Sequence, residues 1–228
     1  MIEESLVGKM ISVEGIEGAG KSTIAALLAD RLRQRGISVL QLREPGSTPV
    51  GENLRGVLKD GSIKLSALTE AFLFEAARHE LVVQRIRPAL ALGKWVVVDR
   101  FYDSTTAYQG PGRGLDIEML KAMHRWACGD TIPDLTLLLD IAPSTGLNRA
   151  RAVTQGLSDT KQDRFEGEGE VFLSRVREGF LAIARQEPDR IVVIPVRGGI
   201  PEILEHCVCT VEERLGAGRH DPADRTSS

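Results

Sequence analysis

The sequence predicts an α/β protein: a doubly wound, five-stranded parallel sheet flanked by helices. Two observations carry that expectation. Short β-branched runs alternate with amphipathic helical stretches, and three of the five runs are almost wholly apolar, as suits strands buried on both faces. A strict β-α-β order over one chain of 228 residues, 42% of them hydrophobic, fits a single core with right-handed crossovers.

The strand-like runs are Met10–Val13, Ser38–Leu42, Trp95–Val98, Leu135–Leu139 and Ile191–Ile194. After the first, Ile24, Leu27, Leu28 and Leu32 form a helical stripe that stops at Gly36. Between the third and fourth runs, Tyr108–Gly114 (YQGPGRG) is dense in Gly and Pro and reads as an irregular loop. Between the fourth and fifth, Thr154–Gly169 is polar, charged and Gly-dotted, and reads as a mobile insertion. The ordered domain is expected over residues 1–215, with a lid at about 149–169 and a disordered tail from Gly216 to Ser228.

Composition narrows the function classes. A net charge of -3 and a pI near 5.9 argue against a protein that coats nucleic acid or an anionic membrane. Cys128, Cys207 and Cys209 are odd in number and lack zinc-like spacing, so neither a disulfide framework nor a metal site is expected. Cys207 and Cys209 lie two apart on a helical stretch and face different ways. The N-terminus has no secretory pattern and no apolar run approaches a membrane span, so the expectation is a cytosolic protein.

The chemistry starts at Gly15–Ser22, GIEGAGKS, which matches G-x-x-x-x-G-K-[ST] between a strand and a helix. Glycines let successive backbone N–H groups turn inward around an anion, and the following helix aims its positive end at the same point. Lys21 reaches β- and γ-phosphates, and Ser22 ligates Mg²⁺. Gly15, Ile16, Glu17, Gly18, Ala19, Gly20, Lys21, Ser22 and Thr23 are therefore the candidate ATP-binding residues. A carboxylate ending an apolar strand completes such sites, and both Asp99 and Asp140 qualify; Asp99 draws more interest because Arg100 follows it.

The fourth strand ends LLLDIAPSTG, with no N-K-x-D for reading guanine. A kinase of nucleoside monophosphates needs a second anionic pocket and a lid that excludes water. Arg43 and Arg100, each after a strand, sit on the sheet edge where the phosphate loop lies, and two arginines there clamp a monophosphate. Phe74 and Arg78 are one helical turn apart, suited to stacking on a base and bonding its edge, although Phe74 alone suits the core equally. An acceptor phosphate is already anionic, so no general base is required.

In order and spacing, VEGIEGAGKST, LREPGST, FLFEAARHEL, VVVDRFYDSTTAYQGPGRG, PDLTLLLD and the DRFE of the insertion resemble the bacterial thymidylate kinase family. The likeness covers roughly Lys9 to Leu215. It implies the P-loop NTPase architecture and transfer of the ATP γ-phosphate to dTMP, giving dTDP and ADP with Mg²⁺ held near Ser22 and Asp99, by a homodimer in the cytoplasm. It also implies that Glu17 lies near the sugar 3′-hydroxyl and that Arg43 and Arg100 hold the dTMP phosphate. Phe74 would stack on thymine, Arg78 would bond its carbonyl edge, and Thr105, Tyr108 and Gln109 would line the base and sugar pocket, Tyr108 crowding a ribose 2′-hydroxyl. Lys21 and Arg100 would act in catalysis.

One departure matters. Relatives with Gly at the position of Gly18 keep their catalytic arginines in the lid, often as R-A-R-A-R. Here the run is Arg149-Ala150-Arg151-Ala152-Val153, so Val153 replaces the i+4 partner of Arg149. The expectation is that Arg149, Arg151 or Arg164 supplies the charge. A kinase for another monophosphate and a nucleotide-binding regulatory module are the competing readings.

Overall fold

The structure is a computed structural model that describes residues 8–155 and 168–216. Five strands, β1 (Met10–Glu14), β2 (Val39–Arg43), β3 (Trp95–Asp99), β4 (Leu135–Asp140) and β5 (Ile191–Pro195), form one parallel sheet in the order β2-β3-β1-β4-β5. Alternation explains why both faces are apolar. Ile11, Val13 and Val97 join the larger core with Leu135 and Leu137, whereas Met10, Val96 and Val98 join a second core with Leu81, Ile86 and Phe101 on the opposite face.

The helices are α1 (Lys21–Gln34), α2 (Pro49–Lys59), α3 (Ala67–Leu81), α4 (Arg87–Ala91), α5 (Tyr102–Ala107), α6 (Ile117–Cys128), α7 (Pro143–Gln155), α8 (Gly169–Gln186) and α9 (Ile200–Leu215). Central β1 has β3 on one side and β4 on the other, with Val13 opposite Asp99. The loop after β1 and the turn after β3 therefore share the carboxyl edge of the sheet, where open α/β folds bind ligands.

The YQGPGRG segment differs from the expected loop. Residues Tyr108–Gly112 extend α5 as a π-helical turn with Pro111 inside it. Packing is the reason: a Cβ at Gly112 would sit 3.0 Å from both Phe172 and Val176 of α8, and one at Gly179 of α8 would sit 3.0 Å from Pro111. Here Gly and Pro permit close approach of two helices rather than reversal of the chain. The first part of the expected lid is helix α7, and α8 begins at Gly169; the DRFE stretch, Arg164 and the tail from Ala217 lie outside the described residues.

Candidate active site

A cavity of about 730 Å³ opens at the carboxyl edge of the sheet. The phosphate loop forms one wall. Glu17, Gly18, Gly20, Lys21, Ser22 and Thr23 line the cavity, while Gly15, Ile16 and Ala19 do not. Lys21 is nearly buried and donates to the Ile16 carbonyl at 2.7 Å. Burial, reinforced by the Arg100 charge, pulls its ammonium down to about 8. In the free protein Lys21 thus carries its proton below about pH 8 and loses it above. kcat/KM for ATP should fall about tenfold per pH unit beyond that point. Glu14 titrates in the same window, so the alkaline limb should persist in Glu14→Gln; its disappearance there would overturn the assignment to Lys21.

Asp99 and Asp140 differ in their partners. Ser22 Oγ donates to the Asp99 carboxylate across the β1–β3 pair. Asp99 Oδ1 is buried with no hydrogen-bond partner among the described residues. Asp140, at the end of β4, is held by Arg177 of α8 through bonds of 2.6 and 2.9 Å. Ser22 and Asp99 together fit a hydrated Mg²⁺, which takes few protein ligands and keeps several waters.

Arg100 stands opposite the phosphate loop in a left-handed backbone conformation, φ 70°. Such a conformation costs a non-glycine residue about 1–3 kcal/mol and persists only where neighbours enforce it. Glu14 does so: one carboxylate oxygen accepts from Phe101 N–H and the other from Ser104 Oγ, each at 2.6 Å. Burial, with repulsion from Asp103 added, pushes Glu14 up to about 8. The Arg100 guanidinium donates to Glu17 at 3.0 Å and Ser104 at 3.1 Å and lies 5.0 Å from the Tyr108 ring centre. Tyr108 in turn donates to the second Glu17 oxygen at 2.6 Å. Burial alone would lower the Arg100 pKa; the surrounding Tyr108, Glu17 and Asp99 groups outweigh it and push it up.

The far end of the cavity is built by α3 and by α5 with its π turn. Phe74, Thr105, Tyr108 and Gln109 line it. Gln109 Nε2 donates to Glu70 at 2.8 Å, while Gln109 Oε1 is buried without a hydrogen-bond partner among the described residues. Arg78 lies one layer back rather than on the wall. It donates to Thr105 Oγ1 at 2.8 Å, pairs with Glu44 at 2.6 Å and bonds Glu75, and its Nε has no hydrogen-bond partner among the described residues. Burial drives the Glu44 carboxyl up to about 7, against the pull of Arg78.

The sequence matches the family model described as Thymidylate kinase over residues 13–206. The chain belongs to the thymidylate kinase family. It is 42% identical over 212 residues to the thymidylate kinase of Chlorobium chlorochromatii (strain CaD3), covering 90% of this chain and 95% of that one. It is 48% identical over 188 residues to that of Magnetococcus marinus (strain ATCC BAA-1437 / JCM 17883 / MC-1), covering 82% and 87%. The crystal structure of thymidylate kinase from Ehrlichia chaffeensis superposes with a TM-score of 0.72 at 30% identity, covering 90% of this chain and 98% of that one.

As a member of the thymidylate kinase family, the chain departs from the sequence expectation in its cation layout. Arg43 does not line the cavity. It is exposed at the end of β2 and bound to both oxygens of Glu52, at 3.0 and 2.9 Å. With its guanidinium engaged by Glu52 and outside the cavity lining, it does not form the expected clamp with Arg100 in this structure. Arg55 of α2 lines the cavity instead, anchored on the Pro45 carbonyl at 2.9 Å. Nothing local in ENLRGVLK distinguishes Arg55 from a solvated helix arginine; only the packing of α2 over the sheet edge does. Glu44, Lys59 and Ser104 also line the wall and escaped sequence reasoning. Of the lid arginines, Arg149 lines the cavity, Arg151 is exposed and does not, and Arg164 lies outside the described residues.

Gly18 has a specific neighbour. At φ 72° it packs against the backbone of Gly146 in α7, and a Cβ there would run into the Gly146 carbonyl. A Cβ on Gly146 would in turn sit 2.5 Å from the Glu17 carbonyl oxygen. The phosphate loop and the helix carrying Arg149 thus meet backbone to backbone.

Proposed function

We propose that the protein transfers the γ-phosphoryl group of ATP to the phosphate of dTMP, giving ADP and dTDP in the supply of dTTP. The observation that carries this reading is the layout of one cavity, which brings the phosphate loop together with Arg55 and Arg100 and with a far end lined by Phe74, Thr105, Tyr108 and Gln109. A glutamine amide offers both an acceptor and donors, the kinds of group that the 3-NH and carbonyl edge of thymine pairs with. Phe74 supplies a face for stacking.

The donor triphosphate lies on the loop of Gly15–Ser22, with Lys21 against its β- and γ-phosphates. Gly198, Gly199, Ile200 and Ile203, after β5, form the wall beyond Gly20 and suit the adenine ring. Ser22 and Asp99 would hold Mg²⁺, which would supply positive charge against the triphosphate. Arg55 and Arg100 hold the acceptor phosphate in line, Glu17 faces the sugar 3′-hydroxyl, and Tyr108 restricts space at C2′. Arg149 adds the remaining positive charge as α7 closes. Positioning and cationic stabilisation suffice, because the attacking phosphate oxygen needs no deprotonation.

A homodimer is supported by exposed apolar side chains on the neighbouring helices α3 and α6. Leu68 and Phe72 of α3, Val83 after it and Trp126 of α6 are exposed, Trp126 at 88%. Free cysteines suit a reducing cytoplasm. Among the described residues no helix is long and apolar enough to cross a membrane.

Steady-state turnover with ATP and a panel of dTMP, dUMP, dCMP and GMP tests the reading. dTMP is expected to lead dCMP and GMP by at least about a hundredfold in kcat/KM, because each mismatched base leaves buried polar groups unpaired. ADP release that is equally fast without any monophosphate would identify an ATPase instead.

A further inference from the structure

Helix α7 carries a glycine where its own stability asks for another residue. Gly146 N–H donates to the Ala142 carbonyl at 2.9 Å, so the residue already belongs to the helical ladder. Its φ is not positive, so alanine would fit the backbone there and would favour the helix. What the glycine permits is close approach. A Cβ at this position would stand 2.5 Å from the Glu17 carbonyl oxygen and 3.3 Å from Ile16 Cδ1. Comfortable contact for a carbon is at about 3.5 Å or more, so any side chain would demand a separation of roughly 1 Å.

The phosphate loop is the side less able to yield. Lys21 holds the Ile16 carbonyl, Arg100 and Tyr108 hold the two Glu17 carboxylate oxygens, and a Cβ on Gly15 would be 2.5 Å from the Leu139 carbonyl oxygen of β4. Helix α7 is held less firmly: of residues 143–150, only Gly146 and Leu147 are buried. Arg149 follows Gly146 by three residues, shares its helical face and lines the cavity beside Ala150. The point at which α7 rests on the loop therefore fixes how deep Arg149 stands.

We propose that Gly146 is a positioning residue: by lacking a side chain it lets α7 rest on the Glu17 carbonyl and so sets the depth of Arg149 in the cavity. The inference rests on the reading that Arg149 supplies charge to the transferring phosphoryl group. A plainer role would be packing alone, in which a side chain at position 146 weakens the fold and every step alike. Positioning leaves a narrower trace. α7 moves outward while the loop and the acceptor pocket keep their shape, so the loss appears in kcat and not in either KM.

The test is a double-mutant cycle of Gly146→Ala and Arg149→Ala, read as kcat with dTMP, with KM for ATP and dTMP and thermal melting alongside. Gly146→Ala is expected to melt cooperatively, to keep both KM values and to lower kcat by about ten- to hundredfold, the scale of a 1 Å misplacement. Thr145→Ala makes a similar gain in helix preference one residue away, where the side chain is exposed, and should leave kcat unchanged. In the Arg149→Ala background, Gly146→Ala should lower kcat little further, since no guanidinium is left to displace. An unchanged kcat in Gly146→Ala, or a loss equally large in the Arg149→Ala background, overturns the positioning role. So does a rise in KM for ATP in place of the fall in kcat, because the loop would then be the part that gives way. A Gly146→Ala chain that does not fold overturns it too, since α7 would then hold the fold rather than adjust upon it. If Arg149→Ala alone leaves kcat unchanged, the reading of Arg149 fails, and the proposal with it.

Discussion

Arg100→Met should lower kcat with dTMP by about 10³-fold, the scale associated with removing a preorganised charge from a transferring phosphoryl group. The side chain is poised for this role at a cost. Its backbone is left-handed, its guanidinium reaches Glu17 and Ser104, and the turn is bolted to Glu14 through Phe101 N–H and Ser104 Oγ. Removing the guanidinium leaves the Glu14 bolts in place, so the fold should survive and the loss should appear in kcat. Arg100→Lys should recover little, because a point charge cannot hold a phosphate and Glu17 together as a planar fork does. Steady-state kinetics alongside thermal melting decides the matter; an unchanged kcat in a folded Arg100→Met protein would remove Arg100 from the mechanism.

Arg149→Ala is the second large effect. Among the described residues of the expected lid, Arg149 lines the cavity, whereas Arg151 two residues on is exposed and off it. The expected outcome is a fall in kcat of about 10²- to 10³-fold for Arg149→Ala, at the lower end of what a stabilising arginine contributes to phosphoryl transfer, and little change for Arg151→Ala. Single-turnover rates distinguish chemistry from product release. If Arg151→Ala fell as far and Arg149→Ala did not, α7 would have to rotate on closure to bring the other face inward.

The sheet and the phosphate loop were readable because their causes are local: near-continuous apolar runs buried on both faces, and a glycine-rich turn between strand and helix. Asp99 was readable only as one of two candidates, since β3 and β4 both flank β1 and the difference lies in partners far along the chain: Ser22 for Asp99, Arg177 of α8 for Asp140. Arg43 was misplaced for a related reason. A strand end predicts which edge a residue occupies, but the Glu52 ion pair, nine residues away on α2, decides where its guanidinium points. Arg55 carried no signal at all, because its relevance arises from how α2 crosses the sheet. The Gly and Pro of YQGPGRG were read as turn formers when their role is helix-to-helix proximity, a distinction that sequence spacing does not encode.

The backbone contact between Gly18 and Gly146 bears on how such an enzyme can change over generations. Moving a cation from α7 into the phosphate loop looks like a single substitution at position 18. It is not, because any side chain there meets the α7 backbone before it meets a phosphate. The helix would have to retreat first, and that retreat would carry Arg149 off the cavity wall before its replacement could act. Position 18 and the placement of α7 are therefore coupled, so that a side chain at the one demands a shift of the other.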